Sequence, residues 1–269
     1  MPQNSKELSD QTHSEVKKLS KLDHLFLEVY KVFQFLARFF KEAFRPPYEW
    51  QELIRQCYQV GVKSLLLISL TGLIVGIIFT KQSRPSLSEF GATSWLPSLI
   101  SIAINRTLAP LLTALIAAGK VGSSIGAELS SMKVSEQIDA MEVSGTRPFK
   151  YLVCIRILAT TLMMPLLSAY TALIALLGGF LNIYTNEGTS WNTFIEQVFE
   201  PISFVDLISS LSKAVLFGFT IGAVSCYQGY NATKGTEGVG KAANASVVTG
   251  MFMVFIEEIL VVQITGFFK

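Results

Sequence analysis

The chain has 269 residues, half of them hydrophobic and only 16% charged, and its mean hydropathy is +0.45. That balance points to a membrane protein rather than a soluble domain. A formal net charge of +2 offers no basic surface, so no nucleic-acid partner is expected.

In chain order, residues 1–20 are polar and mixed in charge, and read as a disordered cytoplasmic tail. The tail lacks an apolar h-region, so no cleavable secretory signal is expected, and its acids argue against a transit peptide. From Leu22 the pattern changes. Leu22, Leu25, Phe26, Val29, Phe33, Leu36 and Phe40 repeat at helical spacing, with Lys21, Glu28, Lys31, Gln34, Arg38 and Lys41 on the other face. The spacing predicts an amphipathic helix lying in the membrane surface. Pro46-Pro47 ends it, and a shorter lead-in helix follows at about 49–60.

Uncharged runs then mark the spans. Residues 64–80 lie between Lys63 and Lys81, 90–119 are broken only by Arg106, and 157–186 are unbroken. Residues 214–233 are also unbroken, and 242–268 are broken only by Glu257 and Glu258. About 20 apolar residues cross the hydrocarbon core. Five spans are therefore expected, at about 62–81, 95–118, 151–183, 207–229 and 243–266. The third is long enough to tilt or to continue past the bilayer.

Lys and Arg in the flanks set the orientation. Residues 1–63 carry ten of them. The connection between spans two and three carries Lys120, Lys133, Arg147, Lys150 and Arg156, whereas Glu187, Glu196, Glu200 and Asp206 flank the connection between spans three and four. The N-terminus and the 119–150 segment are thus expected in the cytoplasm, and the C-terminus outside.

Three GxxxG pairs occur: Gly72 with Gly76, Gly122 with Gly126, and Gly218 with Gly222. Such pairs let helix backbones approach closely, within one chain or between two copies, and the pattern leaves both open. Arg106, Glu257 and Glu258 lie inside expected spans, where ionisable groups face a partner or a cavity. An Arg106–Glu pair between spans two and five would be structural; alternatively, the same groups would touch a lipid headgroup. Cys57, Cys154 and Cys226 have no metal or redox spacing and read as buried thiols.

Sites for chemistry are missing from the sequence. It has no GxxxxGK[ST] phosphate loop, no HExxH and no GxSxG, and its two histidines, His13 and His24, are both N-terminal. No metal or catalytic cluster, and no cofactor of its own, is expected. If ATP drives the protein, another chain must bind it.

The segment "MKVSEQIDAMEVSG" stands out between spans two and three. On a helix of about 133–144, Val134, Ile138 and Met141 share one side, and Glu136, Asp139 and Glu142 an adjacent broad face. Ser130, Ser131 and Ser135 offer N-caps, Gly145 is a natural C′ residue and Pro148 blocks continuation. Surface helices that rest on headgroups favour basic faces; an acidic one suits docking to a protein.

That segment lies within "AAGKVGSSIGAELSSMKVSEQIDAMEVSGTRPFKYLVCIRILA", which strongly resembles the MlaE/YrbE permease family of ABC transporters. This family includes the chloroplast envelope lipid permease. The marks are G-[RK]-V-G, A-E-L, the M-[KR]-V-x-E-Q-I-D-A-[LM]-E-V block and P-x-x-Y-L-V-x-x-R. The likeness covers about residues 45–266. It implies an all-α polytopic fold: interfacial and lead-in helices at 21–60, then a five-span permease domain at 61–269. It also implies a homodimer working with a separate cytoplasmic ATPase and a periplasmic MCE-domain lipid-binding protein. Together they would move phospholipid or related lipid between the bacterial inner membrane and a periplasmic MCE-protein assembly.

In that resemblance, Glu128 to Gly145 matches the coupling helix, with Glu128, Glu136, Asp139, Glu142 and Gly145 facing the ATPase. A lipid cavity is implied at the dimer interface, from spans one, two and five. Family members often show R-E-L-G-P in span two; here it reads Arg106-Thr107-Leu108-Ala109-Pro110. Span five usually carries an acid, which Glu257 matches, and Glu258 would offset the acid lost at Thr107. The rival readings are a non-ABC scaffold or channel and a membrane-embedded lipid enzyme.

Overall fold

The structure, a computed structural model, describes residues 21–46, 49–233 and 235–267; the tail expected at 1–20 lies outside them. The described residues are mostly helical, with no strand among them. The described residues form two compact units, one up to Phe44 and the other from Arg45 onward. In the first, α1 (Lys21–Ala43) is one continuous helix. Its Phe26, Val29 and Phe33 are exposed, and Arg38 pairs with Glu42 one turn on, at 2.8 Å.

The second unit begins with α2 (Trp50–Val60), which passes through a right-handed Gly61 into α3 (Val62–Glu89). Span two is one path in several pieces: α4 (Leu96–Ala103), a π-helical turn at Ile104–Leu108, α5 (Ala109–Ala117), a second π turn at Ala118–Gly122, and α6 (Ser123–Val134). A break leads to α7 (Gln137–Val143). A third π turn, Phe149–Cys154, opens span three and runs into α8 (Ile155–Glu187). Then come α9 (Trp191–Phe199), α10 (Phe204–Tyr230) and α11 (Thr236–Gly266). Five of these paths are long and apolar enough to cross a membrane. The chain is an all-α polytopic membrane protein.

Span three is the centre of the bundle. α3 and α10 both pack along α8, and α11 packs against α10 and α6. Most of span three is buried, while most of spans one and five is not. Small residues make this closeness feasible. A Cβ on Gly76 would strike the backbone of Ala175, with its carbonyl carbon at 2.8 Å, and a Cβ on Gly178 would strike the backbone of Leu73. A Cβ on Gly218 would lie 2.7 Å from the Thr160 carbonyl oxygen, and one on Gly222 3.0 Å from the Ile157 Cα. Gly126 faces Ser246 and Ala242 of α11, and Gly122 faces Ser225 of α10. All three GxxxG pairs therefore face neighbours within one chain, replacing the hydrophobic drive that lipid removes with direct backbone contact.

One element escaped the sequence pattern. α9 lies against α4, with Phe194 and Val198 buried beside Leu96, Ile100 and Ile104. Ser190 caps it by accepting from the Thr193 N–H at 3.3 Å. Ser98 and Ser101 of α4 donate to the Gln197 and Val198 carbonyls, at 2.9 and 2.6 Å, which satisfies its last turn.

Candidate functional site

Charged residues gather in two places. The first is inside the bundle, where spans two, four and five meet. Arg106 lies in the first π turn of span two. A π turn is one residue too wide for the α ladder and commonly marks a functional position. Four residues on, Pro110 has no N–H to return to the Arg106 carbonyl. Lys213 Nζ of α10 donates to that oxygen instead, at 3.0 Å. The Arg106 side chain reaches the first turn of α10, where Nε and Nη2 meet Asp206 at 2.8 and 2.9 Å. Asp206 is also the third residue of a capping box: its carboxylate accepts the Ser203 N–H and the Ser203 hydroxyl accepts the Asp206 N–H. Its side chain is 3% exposed, while that of Arg106 is 38% exposed and so reaches the bundle surface.

Two turns along α10, the Lys213 ammonium sits 2.6 Å from Glu258 of α11, and both side chains are buried. A lone charge at this depth costs several kcal/mol, so each group is retained by the other. Glu257, half-buried, accepts a short hydrogen bond from Thr220. The Arg106–Glu pair expected between spans two and five does not form. Arg106 pairs with Asp206, and both span-five acids are held by α10, through Lys213 and Thr220. Glu258 pairs with Lys213, and the acid beside Arg106 is Asp206.

The second group surrounds the connection between spans two and three. The helix expected at 133–144 is broken. α6 runs to Val134, Glu136 takes a left-handed conformation (φ 59°), and only Gln137–Val143 forms α7. The serines do not cap it: the Ser135 hydroxyl donates back to the Ser131 carbonyl at 2.8 Å, closing α6 rather than opening α7. Glu136 therefore marks the corner, and the acidic face of α7 comprises Asp139 and Glu142. Val134 belongs to α6, and Ile138 is the buried anchor of α7.

The C-terminus of α7 follows the pattern expected. Gly145 (φ 76°) donates to Glu142 at 3.0 Å and Thr146 to Met141 at 3.1 Å, a Schellman motif. Asp139 pairs with Lys133 of α6 across the corner at 2.7 Å. Glu128, exposed on α6, meets the buried Arg156 of α8 at 3.0 Å. α7 is thus tied to the end of span two, with Glu142 and Val143 open to solvent. No group of His, Cys, Asp and Glu among the described residues could hold a metal.

The sequence was compared with known proteins. Residues 53–264 match the family described as Permease MlaE. The chain belongs to the MlaE permease family. It is 36% identical over 242 residues to a "Probable ABC transporter permease protein" of Rickettsia prowazekii, covering 90% of this chain and 92% of that one. Proteins with the same printed description occur in Synechocystis, at 33% identity over 76% of this chain and 78% of the relative, and in Pyropia yezoensis, at 35% over 77% and 78%.

This MlaE-family chain is an ABC transporter permease, and the matched stretch encloses both charged groups but not α1. Two members of the intramembrane group were not singled out from sequence. Lys213 stands inside the expected fourth span, and a lone Lys there was the signal. Asp206 counts among the flanking acids, and only the fold brings it to Arg106.

Proposed function

We propose that this permease moves phospholipid or a related lipid for an ABC transporter whose ATPase is a separate chain. The family match over residues 53–264 carries this reading. α7 is the coupling element: a short helix exposing Asp139 and Glu142, joined to span two through Lys133 and followed directly by span three. Closure of the ATPases would push α7, and the α6–Arg156 contact would pass that movement into span three. The absence of a phosphate loop supports an external ATPase.

The cargo reading rests on the intramembrane group. A polar cluster reaching the bundle surface through Arg106, beside broad apolar faces on spans one and five, suits an amphiphile. The assembly proposed is a homodimer in the bacterial inner membrane, N-terminus in the cytoplasm and C-terminus in the periplasm. An MCE-domain protein exchanges lipid on the periplasmic side. Because the three GxxxG pairs are used within the chain, dimer contacts fall on the exposed faces of spans one, two and five. Co-purification with an ATPase, followed by transfer of labelled phospholipid between vesicles with and without ATP, tests the reading. ATP-independent transfer, or no bound ATPase, would refute it.

A further inference from the structure

A concavity lies away from the intramembrane group. It has a volume of about 160 Å3 and sits between α2 with the start of α3 on one side and the end of span two on the other. Gln56, Gln59, Lys63, Lys120, Ser124 and Glu128 supply its polar lining. Its charge balance is positive. Glu128, its one acid, is engaged by Arg156 at 3.0 Å. Among the described residues, neither Lys63 nor Lys120 has a carboxylate within ion-pair distance. Lys120 Nζ donates to the backbone carbonyl of Lys63, which fixes the ammonium at the cavity and leaves its remaining donors free.

The depth of these cations is set by the sequence. Lys63 immediately precedes the uncharged run 64–80, and Lys120 immediately follows the run 90–119, which only Arg106 interrupts. Antiparallel spans bring those two ends to the same side of the bilayer, at the level of the headgroups. The cavity volume suits a headgroup and not acyl chains. The chains have a surface of their own. Leu66, Leu67 and Leu70 follow Lys63 by three, four and seven residues, so they share its helix face, and they are 74%, 42% and 53% exposed.

We infer that this cavity is a headgroup site for the phosphate of an anionic membrane phospholipid, its acyl chains lying along the Leu66, Leu67 and Leu70 face. Basic pockets between spans take phosphate headgroups in this way. Free phosphate shares the polar chemistry, but the apolar face continuous with Lys63 selects the lipid. The inference requires only that the spans lie in a bilayer, and it stands whether or not lipid is the cargo.

The test uses the full chain, purified from membranes into nanodiscs of phosphatidylcholine with increasing phosphatidylglycerol. Retained lipid is counted by native mass spectrometry. The expected result is one phosphatidylglycerol per chain that survives washing and is lost in the Lys63→Gln/Lys120→Gln variant, with affinity falling about thirtyfold for two charges removed near the surface. The Lys63→Arg/Lys120→Arg variant should retain it, and excess inorganic phosphate should not displace it. If the double variant does not purify, Lys63→Gln alone is used, since the Lys120 hydrogen bond goes to backbone and survives; affinity should then fall about fivefold. Equal retention in the Gln variants, or no retained lipid in the parent, overturns the site. Displacement by inorganic phosphate overturns the lipid assignment in favour of a free anion.

Discussion

Arg106 and Asp206 form a two-pronged ion pair that ties the π turn of span two to the first turn of span four, at 2.8 and 2.9 Å. The Nη2 hydrogen bond and the close approach of Nε hold the guanidinium against the carboxylate. Asp206→Asn should therefore free Arg106 while leaving the capping box largely in place. Removing one partner of a fully buried pair costs about 3–5 kcal/mol; with Arg106 partly exposed, about 1–3 kcal/mol is expected. Thermal unfolding in detergent measures it. The double variant Arg106→Gln/Asp206→Asn should cost less than the two single variants added together. Strict additivity would show that the pair carries no coupling.

The deeper pair, Lys213 with Glu258, should respond more strongly. Glu258→Gln keeps an oxygen for Lys213 but leaves its buried ammonium without a counter-charge, at an expected cost of about 3 kcal/mol or more. Glu257→Gln keeps an oxygen for Thr220 and exposes no stranded charge, so its cost should stay below about 1 kcal/mol. Unfolding midpoints of the two variants, taken side by side, decide the ranking. A larger loss at Glu257 would mean that span five uses the other acid.

These two relationships also show what the sequence could supply. Five spans were legible because hydrophobic length is a one-dimensional property. Arg106, Glu257 and Glu258 were legible as charges inside spans for the same reason. Their pairing was not, because it depends on α10 bringing Asp206, Lys213 and Thr220 against spans two and five, which no local pattern encodes. α9 was missed because a short amphipathic helix gives a weak signal. The α6–α7 break was missed because Glu136 adopts a left-handed conformation that side chains other than Gly and Asn seldom take, and composition gives no hint of it.

The glycine contacts give graded expectations at neighbouring positions. Gly76→Ala drives a methyl group into the Ala175 backbone, which cannot move without shifting span three. A loss of about 1–3 kcal/mol, or failure to assemble, is expected. For Gly72→Ala the nearest atom, the Thr171 carbonyl oxygen, lies 3.4 Å away, so the change should be close to neutral. Gly240 meets nothing within 4 Å, and Gly240→Ala should be neutral or slightly stabilising in its helix. Monodispersity on gel filtration and the unfolding midpoint are the measurements. Equal behaviour at 72 and 76 would contradict the close approach of spans one and three.

At the corner before α7, geometry and charge make separable predictions for Glu136. Its left-handed backbone stores about 1 kcal/mol that glycine would relieve, so Glu136→Gly should leave the fold intact or stabilise it slightly. Gly145→Ala, at φ 76°, should do the opposite by a similar amount. If the acids of this segment dock the proposed ATPase, Glu136→Gly and Glu136→Lys will part company. The first loses one charge, and the second reverses it. Asp139→Lys adds a further test, since it also breaks the pair with Lys133 and places two cations across the corner. The amount of ATPase retained on the purified permease should fall in the order Glu136→Gly, Glu136→Lys, Asp139→Lys, with the permease still in the membrane. Retention that follows stability rather than charge would mean that the corner acts through its shape, and that the acids face solvent and not the partner.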